Sequence, residues 1–286
     1  MVTYSGWATN RQQWVEEWDP TGQFLICYIE KTDYVTEAGH TRVKEDAIPG
    51  YGAYMDIWLL KRDGSTAWKL TDLPNNYDNG VIHGALSNDG KLFAWTQRVQ
   101  APVAFDFNLL AGAYDFKVAD ITYGANPSLS NIRTYRPGNV LAGGEVESIS
   151  PDNSNILVYS TFETKNIVTT PVYKIELSNG NTTKLTGESF AQTPTYTPDG
   201  NHIVYMTGKD ADIFPFQLQG SDWWIMDKDG SNMRRLTFMN KKDDPQSENK
   251  YKLAGTLSFI NNNSFLGDVL VSPAGLSGYT VQVDFK

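Results

Sequence analysis

The chain has 286 residues, enough for two ordinary domains or for one repeat array with a large core. Its 24 Lys and Arg against 33 Asp and Glu give a net charge of −9, which argues against a nucleic-acid or anionic-membrane surface. Aromatic residues make up 13%, a share that suits half-buried strands, and a single cysteine excludes an intramolecular disulfide.

In chain order, Val2–Trp7 alternates enough to be one strand. EEWDPTGQFLICYIE then gives two strands about a Pro-Thr-Gly turn, with Cys27 expected as a buried, inert thiol inside FLICYI. A polar excursion, Lys31 to Tyr51, leads to AYMDIWLLKRDGSTAWKLTD, a third and a fourth strand joined at Asp63-Gly64. The same order of strand, tight turn, strand, loop, strand, tight turn, strand recurs. Its second copy runs from ALSNDGKLFAWTQRV through YDFKVADITYG to NIRTYRPG, with QAPVAFDFNLLAGAYDF as its long insertion. The third copy is compact, ESISPDNSNILVYSTFE followed by PVYKIELSNGNTTKLTGE. The fourth is the clearest, from TYTPDGNHIVYM across a long loop to DWWIMDKDGSNMRRLTF. The fifth, TLSFINNNSFLGDVLV then GYTVQVDFK, stops after its third strand, and Val2–Trp7 is expected to complete it.

One meander per several tens of residues predicts an all-β fold, a β-propeller of four-stranded antiparallel blades with five repeats visible and six blades as the alternative. Residues 1–286 are read as one domain, and the protein as a monomer.

Blade topology turns this pattern into a functional pointer. The first-to-second and third-to-fourth strand turns share one face of a blade, and here all are short. Every long insertion falls in the other set, and loops longer than their connection requires are disproportionately functional. The leading residues of the inner strands, Gln13, Glu16, His83, Glu145, Glu147, Gln192 and Thr193, are expected at a channel mouth on that elaborated face. Of the three histidines only His83 combines that face with an inner-strand position, where it could act as a base or a metal ligand; His40 lies in a loop and His202 beside a turn. Tyr34, Tyr51, Tyr54, Tyr77, Phe105, Phe107, Tyr114, Phe214, Phe216 and Trp223 lie in or beside long loops, where exposed rings stack on sugars or anchor protein partners. Trp58 and Trp224, on third strands, are expected to be packing residues.

SPDN-x-x-I-L-V-Y, TPDG-x-x-I-V-Y, DIW-L-L-K-R-DG and DWWIMDKDG-x-x-x-R-R-L-T resemble the repeat of TolB-type six-bladed propellers across roughly residues 15 to 286. The resemblance implies the fold, and export to the periplasm or beyond, with a leader trimmed from this chain, which shows neither a signal peptide nor a membrane-spanning stretch of its own. It does not imply one activity, because propellers of this type include partner-binding proteins, polysaccharide lyases and the gating domains of prolyl-oligopeptidase-like peptidases.

The residues narrow the choice. Lyases of similar repeat type cluster several histidines about a divalent metal, and three scattered histidines do not supply a cluster. The nearest string to a hydrolase elbow, Gly275-Leu276-Ser277-Gly278-Tyr279, lacks the last glycine. No phosphate-binding glycine loop or zinc spacing occurs, and no cofactor is assigned. The expected function is a noncatalytic binding propeller that recognises a protein partner or a glycan, without nucleic-acid binding or membrane insertion. Its expected ligand-binding residues are Glu16, Tyr54, His83, Phe105, Glu145, Glu147 and Trp223. The alternative is a carbohydrate-active enzyme, lyase or hydrolase, working at the channel mouth with His83 and nearby carboxylates.

Overall fold

A computed structural model describes the whole chain except residues 1–3, 8–9, 33–36, 38, 49, 107, 188–189, 212–219, 249–250 and 273–276. The fold is all-β, a β-propeller of five blades, and the chain divides into two compact units, Met1–Ile149 and Ser150–Lys286. Among the described residues four sheets have four strands and the fifth has three. Also among them, no helix is long and apolar enough to cross a membrane.

In the first unit, β1 (Gln13–Trp18), β2 (Phe24–Glu30), β3 (Met55–Lys61) and β4 (Ala67–Lys69) form the first sheet in sequence order. β5 (Gly80–Leu86), β6 (Leu92–Gln100), β7 (Ala113–Thr122) and β8 (Ser128–Tyr135) form the second, and β9 (Gly144–Ile149) begins the third. Ile26, Tyr28, Ile57 and Leu59 of the first sheet share one core with Val81, Phe93 and Trp95 of the second. Cys27, one residue out of phase with Ile26 and Tyr28, joins the opposite face with Leu25, Ile29 and Leu60, and burial pushes its thiol up to about 12. FLICYI is apolar at every position because the sheet is covered on both sides.

The second unit holds β10 (Asn155–Ser160), β11 (Val172–Glu176) and β12 (Thr182–Lys184) of the third sheet. It also holds the fourth sheet, β13 (Ala191–Tyr196), β14 (His202–Thr207), β15 (Asp222–Asp227) and β16 (Arg234–Arg235), and the fifth, β17 (Tyr251–Asn261), β18 (Ser264–Ser272) and β19 (Ser277–Asp284). Neighbouring residues of the fourth sheet part company. Ile203, Tyr205, Trp224 and Met226 pack with Leu157 and Val172 of the third sheet, whereas Val204, Met206, Trp223 and Ile225 pack with Phe265 and Val269 of the fifth.

The recurring D-x-W and R/K-L-T strings have a shared physical cause. Asp56 Oδ1, at the head of β3, accepts hydrogen bonds from Thr71 Oγ1 (2.9 Å) and Leu73 N (2.9 Å), and Ile57 N donates to that threonine hydroxyl. Asp222, at the head of β15, repeats the arrangement with Thr237 Oγ1 (2.8 Å) and Met239 N (2.7 Å). One carboxylate thus fastens the last strand of a blade to the start of its third strand. The third blade has Pro171 where the first and fourth have aspartate and keeps only the threonine half, Val172 N to Thr186 Oγ1 at 2.9 Å. The short turns follow a rule of their own. Gly22, Gly64, Gly90, Gly200 and Gly230 occupy left-handed backbone, and in Ser-Pro-Asp-Asn that place falls to Asn153 at φ 59°.

Val2 and Thr3 lie outside the described residues. Tyr4–Trp7, expected as strand, forms a turn closed by Trp7 N to Tyr4 O at 3.3 Å, and the Trp7 ring packs edge-on against Trp58 with centroids 6.0 Å apart.

Candidate functional site

Inner strands are interrupted at matching positions. The register slips between Val15 and Trp18 in β1, Val81 and Gly84 in β5, Gln192 and Thr195 in β13, and Ala254 and Leu257 in β17. A bulge bends its strand and re-aims the extra side chain. In the first unit the bulged residues are Glu16 and Glu17 in one strand and Ile82 and His83 in another.

These bulges bring Glu16, His83 and Glu147 together. His83 Nδ1 lies 2.7 Å from Glu16 Oε1 and its Nε2 lies 3.2 Å from Glu147 Oε2, while Gly84 N donates to the same Glu16 oxygen at 3.1 Å. The backbone has to pass close here. A Cβ on Gly84 would stand 2.6 Å from Ala94 O and 2.7 Å from the Tyr28 hydroxyl. Burial alone would push the His83 pKa down, but the two carboxylates outweigh it and hold it well above the ordinary value. The ring, 28% exposed, has a carboxylate at each nitrogen, an arrangement that favours its protonated form. Glu17, next in the bulge, accepts Leu86 N at 2.7 Å. Although the residue as a whole is exposed, enclosure of its carboxyl, opposed by that hydrogen bond and reinforced by Glu16, raises its pKa to about 7.

Both shifts have the same consequence for stability. In each case the folded state binds the extra proton, so the stability these two groups contribute is fully present at low pH and declines as pH rises, for Glu17 between 4.5 and about 7 and for His83 above 6.5. His83→Gln is expected to flatten the loss above neutrality, and Glu17→Gln the loss below it. Urea unfolding midpoints across pH 5–9 check this; an unchanged profile in His83→Gln would mean that the imidazolium does not contribute.

Of the other expected site residues, Glu145 lies two positions before Glu147 on the same side of β9, and its charge acts on the buried Tyr28. Tyr54 is buried, with its hydroxyl donated to Glu37 Oε1 at 2.8 Å and the Arg42 guanidinium 3.9 Å above its ring. His40 stacks on Tyr77 at 3.6 Å and pairs with Asp46 at 2.9 Å, and Arg98 covers Tyr77 at 4.5 Å. The first blade's excursion is thus folded onto itself. Trp223 is fully buried, with its Nε1 donating to Gly255 O at 3.3 Å, and Tyr114 is also buried. Tyr34, Phe107, Phe214 and Phe216 lie outside the described residues, as do Gly275 and Leu276. His202, beside its turn, is half-buried and lies 3.5 Å from Asp227.

Among the described loop aromatics Tyr51 is 39% exposed, and Phe105 is far more so. It is 98% exposed at φ 66°, a left-handed conformation that a bulky residue adopts only when its surroundings impose it. They do so through Asp106 N to Val103 O (3.2 Å), Val103 N to Leu109 O (2.9 Å) and Asn108 N to the Asp106 carboxylate (2.9 Å). Asn108 Nδ2 ties the loop to Leu141 O at 2.9 Å, and Asp78 holds its start through Ala101 N at 2.7 Å. Val103, Leu110 and Leu141 add exposed apolar surface in the same loop and the link it touches.

Sequence reasoning passed over Glu17 and Arg98. Glu17 had a signal in standing next to Glu16, yet only a bulge lets two successive residues serve one site. Arg98 sits in an apolar strand that offers no hint of its partners, the Tyr51 carbonyl at 2.9 Å and the Tyr77 ring.

No protein-family model and no curated protein matches the chain. Solved structures are similar to it. A protein assigned as TolB from Agrobacterium tumefaciens matches 97% of this chain with a TM-score of 0.56 and 17% identity. A Mycobacterium tuberculosis puromycin-hydrolyzing peptidase matches 99% with a TM-score of 0.60 and 13% identity, and an oligogalacturonate lyase in complex with manganese 94% with 0.51 and 12%. The chain spans 79% of the TolB-type chain, 38% of the peptidase and 61% of the lyase. At these identities the likeness shows a shared propeller fold alone.

Proposed function

We propose that this chain is a noncatalytic binding propeller, of the exported TolB-like kind, that recognises a protein partner through its long loops. The observation that carries the reading is Phe105, an almost wholly exposed ring held in an unfavourable backbone conformation by a hydrogen-bonded loop. A strained, rigid aromatic in water is set for contact rather than for the stability of its own fold. Its neighbours Val103, Leu110 and Leu141 are aliphatic, which suits the apolar side chains of a protein better than the hydroxyls of a glycan.

The carbohydrate-active alternative would draw on His83 as a base or metal ligand. Both His83 nitrogens are already engaged by carboxylates, at 2.7 and 3.2 Å, which leaves neither free for that role and supports the binding reading. The cluster joins three inner strands of the propeller and serves as a brace.

Immobilised wild type and Phe105→Ser would be exposed to envelope extract and to a glycan array, with polygalacturonate and Mn²⁺ as a turnover control. A central aromatic anchor is typically worth 2 kcal/mol or more, so Phe105→Ser is expected to weaken retention of the partner at least about 30-fold at unchanged stability. Equal retention by the variant, or polymer cleavage that disappears in His83→Gln, would overturn the reading.

A further inference from the structure

The outer edge of the fifth sheet, in the second unit, is left open. Trp7, expected in the strand that completes this blade, packs instead on Trp58 of the first sheet, and among the described residues no fourth strand pairs with β19. Edge strands invite pairing, and proteins blunt them by shortness, charge, proline or a bulge. The outermost strands of the other sheets obey this rule. β4, β12 and β16 have three, three and two residues and carry Lys69, Lys184, Arg234 and Arg235, while β8 has Arg133 and a break in its register. β19 has eight residues, no lysine, arginine or proline, and an unbroken register against β18 from Ser277 to Asp284.

The direction of its backbone groups follows from one bond. Phe285 N donates to Asn263 O at 2.9 Å, on the β18 side, and successive residues of an antiparallel strand point their N–H and C=O to opposite sides. Val283, Val281 and Tyr279 therefore bond to β18, whereas Asp284, Gln282, Thr280 and Gly278 aim theirs outward. The side chains of Thr280 and Gln282 are engaged elsewhere, on Asp268 and on Ser264 and Asp284, so neither folds back over the edge. On the other alternation, Val283 and Val281 belong to the core around Phe265, and Tyr279 extends their row as a ring 43% exposed.

Such an edge fits a second copy of itself. In a twofold antiparallel pairing that sets Thr280 opposite Gln282 of the second copy, and Gly278 opposite its Asp284, every outward-aimed residue meets another. The residues between them then set Val281 opposite Val281 and Tyr279 opposite Val283, an unbroken apolar row, and no like charges face each other. A shift of one residue would set outward groups against groups already bonded to β18. We infer that two copies of this chain associate through β19, pairing antiparallel about Val281 and joining two fifth sheets into one. A strip this narrow makes a weak, concentration-dependent dimer.

Sedimentation equilibrium of the full chain between about 5 and 500 µM is expected to show the mass rising from that of the monomer toward twice that value. Thr280→Lys combined with Gln282→Lys, at two exposed positions, sets like charges opposite each other across the pair and should weaken association at least about tenfold. Thr280→Lys combined with Gln282→Glu sets opposite charges there and should restore association to within about threefold of wild type. Val281→Cys should give a covalent dimer with diamide, which takes up the two hydrogens of the paired thiols; Cys27 is buried and does not compete. If circular dichroism shows that a charge variant misfolds, the Val281→Cys crosslink decides. A monomer at every concentration, equal association by the two charge variants, or no crosslinked dimer from Val281→Cys would each overturn the assignment, and a monomer would leave the edge to a strand of some other chain.

Discussion

Asp222→Ala is expected to cost about 3–5 kcal/mol, read as a lowered urea midpoint at unchanged slope. The carboxylate is buried and used on both oxygens. Beyond Thr237 and Met239 it pairs with Arg235 at 2.6 Å and accepts Asn240 N at 3.2 Å. Removing it leaves a nearly buried guanidinium uncompensated and strands three donors, and desolvation of unpartnered groups rather than loss of attraction makes such changes severe. Asp222→Asn keeps the shape and loses the charge, so an intermediate loss is expected. Asp229→Ala is the control, since that exposed turn carboxylate serves Ser231 alone and little change should follow. If Asp222→Ala cost no more than Asp229→Ala, the clamp would not be what holds the blade's last strand.

Trp223→Ala should be as damaging, about 3–5 kcal/mol, because the ring is wholly buried against Phe265 with centroids 5.4 Å apart. A Cβ on Gly267 would approach its Cζ2 to 2.4 Å, which shows how closely the fifth sheet fits the indole. Trp224→Ala should cost a similar amount, and the two sites separate under a milder change. Trp223 Nε1 donates to Gly255 O, whereas Trp224 Nε1 has no hydrogen-bond partner among the described residues. Phenylalanine should therefore be tolerated better at 224 than at 223, where a buried carbonyl loses its donor. The reverse order in thermal unfolding would mean that the hydrogen bond contributes nothing and that cavity volume decides both.

Much of the architecture was legible because its signals are local. Asp-Gly and Asn-Gly turns demand a left-handed residue at a fixed offset, whereas the clamp from Asp56 to Thr71 and from Asp222 to Thr237, though it joins residues only fifteen apart, emerged only from the structure. The gathering of Glu16, His83 and Glu147 was legible for a topological reason: inner strands of successive blades repeat one geometry, so like positions in the repeat come close. Their engagement with one another was not, since it depends on bulges, and a bulge shifts side-chain phase by one residue without a signature in composition.

The aromatics mark the other boundary. Tyr54 beside one long insertion and Phe105 within another both have positive φ, yet one is buried under Arg42 and the other is exposed to water. Their neighbours in sequence do not distinguish them; the first loop has Glu37 and Arg42 to close over its ring, and the second is pinned by Asn108 and Asp78 with its ring outward. Sequence by itself determined the repeat and the turns, and set Glu16, His83 and Glu147 among the leading residues of inner strands. Tertiary structure alone decided which side of a blade each ring serves, because blades covered on both faces are apolar at every position and leave no polar stripe to tell Trp223 from Trp224.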